Sequence, residues 1–188
     1  MKNEITPKDR VFQTAGRLFY QYGYRAVGVD TIAAESGIGK MTLYRHYLSK
    51  DDLIVAYLKD SNEEFWNYFE QSIKEAHTPR EKLLAFFQGL QDYVTTPECY
   101  GCPFLNIATE YPEPDYPGHQ VALEHKKSVH ARFRQLAEEA GANDPENLAN
   151  QLFLLMEGAY MASRLFGPAN PASNLAEAAR VLIDSALG

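Results

Sequence analysis

The 188-residue chain is poor in the features that mark several protein classes. Its two cysteines, Cys99 and Cys102, are too few for the disulfide framework of a small secreted fold, which favours a reducing compartment. No apolar run approaches the roughly 18 residues of a transmembrane helix, so no membrane partner is expected. The stretch Met1–Lys8 lacks the apolar core of a signal peptide, and a cytoplasmic location is expected. No segment alternates apolar and polar residues with period two for long enough to make a strand. No nucleophile–base–acid arrangement emerges, and Glu110, His119 and His125 offer no template for a small helical enzyme. A hydrophobic share of 45% against 23% charged residues is nonetheless ordinary for a folded domain and sufficient for a substantial core.

The chain also lacks positive net charge: 18 Lys and Arg stand against 25 Asp and Glu, a net of −7. That average argues against nucleic acid, but it is not uniform. Residues 1–50 carry eight basic side chains (Lys2, Lys8, Arg10, Arg17, Arg25, Lys40, Arg45, Lys50) and four acidic ones, a net of +4, which leaves −11 for residues 51–188. DNA responds to the local surface that reaches it, so a basic head on an acidic body is compatible with binding without demonstrating it.

What the sequence has in abundance is helical periodicity. Thr6-Pro7-Lys8-Asp9 reads as a helix start, with Thr6 as cap, followed by the stripe Val11, Phe12, Ala15, Leu18, Phe19, Tyr22 and a stop at Gly23. Asp30 to Ser36 and Lys40 to Tyr47 read as short helices joined by Ser36-Gly37-Ile38-Gly39. Ser49 with Asp52 caps a long helix, and Thr78-Pro79-Arg80-Glu81 starts another that runs to about Thr95. Pro97, Pro103, Pro112, Pro114 and Pro117 make 96–118 irregular, with a short helix from Phe104 to Glu110 inside it. Further helices are expected from His119 to Gly141, behind Asp144-Pro145, and behind Pro171 and Ser173. The pattern predicts an all-α fold of about nine helices, three short ones in front.

Helices two and three carry the functional signal. They are joined by a glycine-bearing turn and packed through Ile32, Ala33, Ile38 and Leu43, the pattern of a helix-turn-helix. The third is thin in core residues and rich in Lys40, Thr42, Tyr44, Arg45 and His46. Near its start, Lys40 and Thr42 suit base edges in a major groove, whereas Tyr44, His46 and Lys50 suit phosphates. A solvated helix of a bundle would show the same spacing.

The segment Ile32 to Leu53, IAAESGIGKMTLYRHYLSKDDL, resembles the DNA-binding signature of the tetracycline-repressor (TetR) family, and the resemblance begins upstream at Ala15 to Gly23. It implies an N-terminal helix-turn-helix domain over 1–50, then an effector-binding and dimerisation domain over 51–188. By the same resemblance Gly39, Lys40, Met41, Thr42, Tyr44 and His46 lie at or near DNA and Lys50 meets a phosphate; Thr31 and Arg45 complete the DNA-binding candidates. The aromatic at the position of Tyr47 belongs to the core in that family. Two residues depart from the pattern: Gly39 replaces a capping hydroxyl, and Met41 replaces a small residue.

Gly101 to Pro112 resembles a segment of one subgroup of these regulators, between helices that wall the effector cavity. Most aromatics of the body serve the core, but Phe65, Phe69, Phe86, Leu90, Phe104, Ile107, His125, Met156 and Tyr160 are candidates to line a cavity for a largely apolar or aromatic small molecule. His125 reads either as a hydrogen-bonded core histidine or as a ligand contact. Cys99-Tyr100-Gly101-Cys102 permits packing, thiol redox chemistry or metal binding, although no second cysteine pair supports a zinc site, and neither metal nor cofactor is expected. Lys126-Lys127 and Arg132 with Arg134 read as a solvated face. The last two helices carry more apolar circumference than a surface helix needs, through Leu152, Leu155, Met156, Ala159, Leu182 and Ile183, and the resemblance makes them a homodimer surface. The sequence therefore predicts a ligand-responsive repressor that binds a palindromic operator as a dimer. A small helical enzyme and a protein-interaction module that has lost DNA binding are the rival classes.

Overall fold

The computed structural model describes residues 5–188. Lys2 and Glu4, counted in the head's charge, and the Met1–Glu4 part of the leader reading lie outside the described residues. Among those described, the chain is all-α, with nine α-helices and two 3-10 turns. They are α1 (Pro7–Tyr22), α2 (Val29–Ser36), α3 (Lys40–His46), α4 (Lys50–Ile73), α5 (Pro79–Val94), α6 (Pro103–Glu110), α7 (Pro117–Glu139), α8 (Pro145–Phe166) and α9 (Leu175–Leu187).

Helix starts follow the local chemistry of the sequence. The Thr6 hydroxyl accepts the Asp9 amide at 3.2 Å, and the Asp144 carboxylate accepts that of Asn147 at 3.0 Å. At α5 the Thr78 hydroxyl accepts the Glu81 amide, while the Glu81 carboxylate accepts those of His77 and Thr78, both at 2.9 Å. Those two backbone donors hold the Glu81 carboxyl below the usual carboxylate range. Ser49 accepts the Asp52 amide at 3.0 Å and opens α4.

Three local expectations need correction. Helix α1 is not short, at 16 residues, and its buried face ends at Leu18 and Phe19; Tyr22 is 63% exposed. Gly23, at φ +92°, turns the chain so that Tyr24 takes the core position instead. Helix α7 starts at Pro117, two residues before His119, because proline suits a first turn that needs no amide there. Helix α9 starts at Leu175, behind Pro171 and Ser173 as expected, and two 3-10 turns, Gly167–Ala169 and Pro171–Asn174, precede it. Buried Asn170 organises that connection, donating to the Val94 carbonyl at 2.8 Å and accepting the Ala172 amide at 2.8 Å.

The chain divides into two compact units. One runs to Asn62 and takes in Pro103–Leu123; the other comprises Glu63–Cys102 and Glu124–Gly188. In the first, Val11, Ala15, Leu18, Phe19, Tyr24, Ile32, Leu43 and Tyr47 form the core that packs α1, α2 and α3 together. Ala33 and Ile38 are half-buried at its edge. In the second, α5, α8 and α9 pack on one another around Leu83, Phe86, Phe87, Leu152, Met156, Ala179 and Ile183.

Candidate functional site

The α2–α3 corner is built by backbone requirements. Gly37 closes α2 at φ +66°, and its amide meets the carbonyls of Ala33 and Ala34. The Arg10 guanidinium donates to the Ser36 carbonyl at 2.6 Å, placing a cation at the negative end of α2 and tying it to α1. Helix α3 then turns Leu43 and Tyr47, four residues apart, into the core, where burial pushes the Tyr47 hydroxyl's pKa up.

Its other side is left to solvent. Lys40, Met41, Tyr44, Arg45 and His46 are exposed, Met41 at 83%, and Thr42 is half-buried. Thr31 is exposed on α2, Gly39 stands at the head of α3, and Lys50 is half-buried at the start of α4. All nine DNA-binding candidates therefore lie in one unit, clustered at or beside α3. Lys40 forms an ion pair with Asp30, and Arg45 donates to the Thr42 hydroxyl at 3.4 Å. Burial lowers the Lys50 ammonium's pKa, and the charges of Asp51 and Glu110 act in the opposite direction.

Gly39 supplies no side-chain cap to α3, and open space surrounds the position a Cβ would take. Its φ of −60° suits any residue. Gly39→Ser should therefore stabilise the protein by a few tenths of a kcal/mol, read as a small rise in the denaturant midpoint. A fall in the midpoint would show that the hydroxyl finds no amide there.

The effector candidates fall in both units. Phe104 and Ile107 are buried in the unit that holds the head. Phe65, Phe69, Phe86, Leu90, His125, Met156 and Tyr160 belong to the other unit, all buried except half-buried Phe65. There Phe65 meets Phe69, Phe86 and the edge of His125 at ring-centroid distances of 6.3, 6.1 and 4.8 Å, and Phe69 meets Phe86 at 4.7 Å. Burial, with the Lys126 charge second, lowers the His125 pKa to about 3, so its ring is neutral at ordinary pH. An open groove of about 530 Å³ along α5 and α9, lined by Gln88, Gln91, Glu177 and Arg180 among others, includes none of the nine candidates.

Sequence reasoning misplaced Lys126. Instead of joining a solvated face it is 14% exposed, donating to Glu157 at 2.5 Å and to the Cys102 sulfur at 3.3 Å. The reason is register: Lys126 lies three residues before buried Val129 and four after buried Ala122, on the inward side of α7. Arg132 also turns inward, over the Phe69 ring at 5.7 Å, whereas Lys127 and Arg134 are exposed as expected. Cys99 and Cys102 are buried thiols not joined in a disulfide, and no cluster of three His, Cys, Asp or Glu among the described residues is arranged to hold a metal. No helix of the described residues is long and apolar enough to cross a membrane.

A short exposed helix presented by a glycine turn, packed by two others and joined to a larger helical body, defines a helix-turn-helix regulator. Residues 11–57 match the model for bacterial regulatory proteins of the tetR family, and 79–179 match the tetracyclin repressor-like C-terminal domain. The chain belongs to the TetR family of DNA-binding transcriptional regulators, a family of regulators and not of enzymes. Its structure is similar to SCO4454, a TetR-family regulator from Streptomyces coelicolor, with a TM-score of 0.92 and 29% identity over 97% of this chain and 96% of that one. The sav143 regulator of Streptomyces avermitilis gives 0.85 and 30% over 96% and 98%. In sequence it is 28% identical to the regulator YxaF of Bacillus subtilis over 94% of each chain. It is 34% identical to YjdC of Escherichia coli over 86 residues, 46% of this chain and 45% of that protein, so the match spans under half the length of YjdC.

Proposed function

We propose that the protein is a repressor that binds a palindromic operator as a homodimer and is released by a small, largely apolar or aromatic effector. Residues 1–50 would read DNA and 51–188 would bind effector and partner, in the cytoplasm and without a cofactor. The observation that carries the DNA reading is the exposed side of α3, where Lys40, Met41, Tyr44, Arg45 and His46 do no core work beside buried Leu43 and Tyr47. The Lys40–Asp30 pair is exposed and weak, so it leaves Lys40 available to a phosphate or a base edge. Leu154, Met161 and Leu165 on α8, with Val181 on α9, are exposed apolar residues that a two-fold contact would cover. The aromatic cluster around neutral His125 supports an uncharged effector over an ionic one. Effector lowers operator affinity only through unequal binding to the two states of the dimer.

Selection of duplexes from a random pool, followed by binding titrations at several salt concentrations, tests this reading. Lys50→Ala should weaken binding to every sequence and reduce the salt slope by about one phosphate contact. Thr42→Ala should shift preference at one base position by on the order of 1 kcal/mol while the salt slope stays the same. Equal scaling of affinity across the library by both variants would overturn the division between base and phosphate contacts. A wild type that retains no DNA at low salt would overturn the regulator reading.

A further inference from the structure

The turn that leads into the helix-turn-helix is held by a side chain far along the chain. The Tyr24 and Arg25 amides donate to the two oxygens of the Glu110 carboxylate, at 3.0 and 2.6 Å, from a residue 86 positions beyond Tyr24. Glu110 is the last residue of α6, where the helix dipole disfavours an acidic side chain. Its placement is thus explained by the two amides and not by its own helix. Gly23 makes the approach possible: at φ +92° it suits glycine, and a Cβ there would lie 2.7 Å from Glu110 Oε1.

The grip extends to both ends of α6 and on to α4. The Tyr24 hydroxyl donates to the Pro103 carbonyl at 2.9 Å. The Arg25 guanidinium lies 4.7 Å from the centre of the Tyr111 ring, which stacks on Tyr116 at 4.2 Å. The Tyr116 hydroxyl in turn donates to Asp51, beside Lys50, at 2.8 Å. The reading helix is therefore flanked in the chain by two anchored points, the α1–α2 turn and the first turn of α4. Both are fixed to the segment that contains α6.

We infer that Glu110, by clamping the Tyr24 and Arg25 amides, is a positioning residue that aims the reading head and so fixes the spacing between half-sites that the protein accepts. Bases are read by α3, but the distance between two copies of α3 depends on how each head is held. The inference rests on the dimeric reading proposed above.

The full-length protein, Glu110→Gln and Glu110→Ala are each put through the same random-pool selection, and amide exchange at Tyr24 and Arg25 is followed in parallel. Glutamine keeps the shape but offers one acceptor oxygen for two amides, so it reads the clamp even where alanine compromises folding. The wild type should enrich one half-site spacing. Both variants should enrich the same half-site bases over several spacings, bind the wild-type duplex about tenfold more weakly, and exchange the two amides faster. A merely structural role would lower the active fraction and leave the spacing alone. One spacing shared by wild type and both variants overturns this inference by itself. A wild-type pool without paired half-sites overturns the dimeric reading, and this inference falls with it.

Discussion

Leu165→Glu is expected to turn the protein into a monomer that no longer binds its operator at concentrations where the wild type saturates it. Leu165 is 72% exposed on α8, Leu154 is 69% exposed and Met161 48%, with exposed Gly158 between them. Positions 154, 158, 161 and 165 follow the four-and-three spacing of one helix face, so these residues form a single stripe. Scattered exposed leucines need no explanation; an aligned set with a glycine at its centre, where another backbone can approach, is the pattern of a covered face. In a two-fold contact every substitution occurs twice. Two carboxylates would then be buried without partners, at a cost of several kcal/mol each. A total of about 4 kcal/mol already weakens association roughly a thousandfold. Sedimentation should show a wild-type dimer, a Leu165→Glu monomer with unchanged helix content, and a Leu165→Met dimer. A Leu165→Glu dimer with full operator affinity would place the interface elsewhere.

Helix boundaries and the head were readable in the sequence because their determinants are local. Thr6, Thr78 and Asp144 meet amides three residues away, and Gly23 and Gly37 mark stops by backbone conformation alone. The α3 face was readable for a related reason: within seven residues, Leu43 is its one buried residue, and the chemistry on its other side is plain. What local pattern could not show are partners distant in sequence. Lys126 has the composition of a surface residue, but its partners Cys102 and Glu157 are 24 and 31 positions away, and only the register of α7 turns it inward. Glu110 sits 86 residues from the Tyr24 amide it accepts, and Asn170 reaches back 76 to Val94. Periodicity carries no trace of such pairings. Tyr22 failed for a different reason: it continues the apolar spacing, but the helix ends there and the positive φ of Gly23 hands the core position to Tyr24. Among the effector candidates, Phe65, Phe69, Phe86 and His125 meet ring to ring, but aromatic composition gave no means of separating them from Phe104 and Ile107, which belong to the other compact unit.

The buried imidazole at position 125 should dominate the response of the fold to mild acid. His125 is 4% exposed, lies edge-on to Phe65 and neighbours the Lys126 ammonium, so its protonated form is disfavoured first by burial and then by that charge. Its pKa falls from 6.5 to about 3 in the folded protein. Between those values the unfolded chain binds a proton that the folded chain refuses, so stability declines as the pH drops below 6.5. Each pH unit is worth about 1.4 kcal/mol, and by pH 3 the loss would be on the order of 4 kcal/mol, a large part of the stability of a typical domain. Carboxylates whose pKa is lowered by partners, such as Asp184 beside Arg80, add a loss of the same sign at lower pH. His125→Gln keeps a polar side chain of similar reach but does not titrate. Urea unfolding between pH 7.5 and 4 should therefore show wild-type stability falling from about pH 6.5 downward, while His125→Gln stays nearly level until the carboxylates titrate. Parallel curves for the two proteins would mean that the ring takes up its proton without cost in the folded state, and a neutral, apolar setting for an uncharged effector would then be wrong as well.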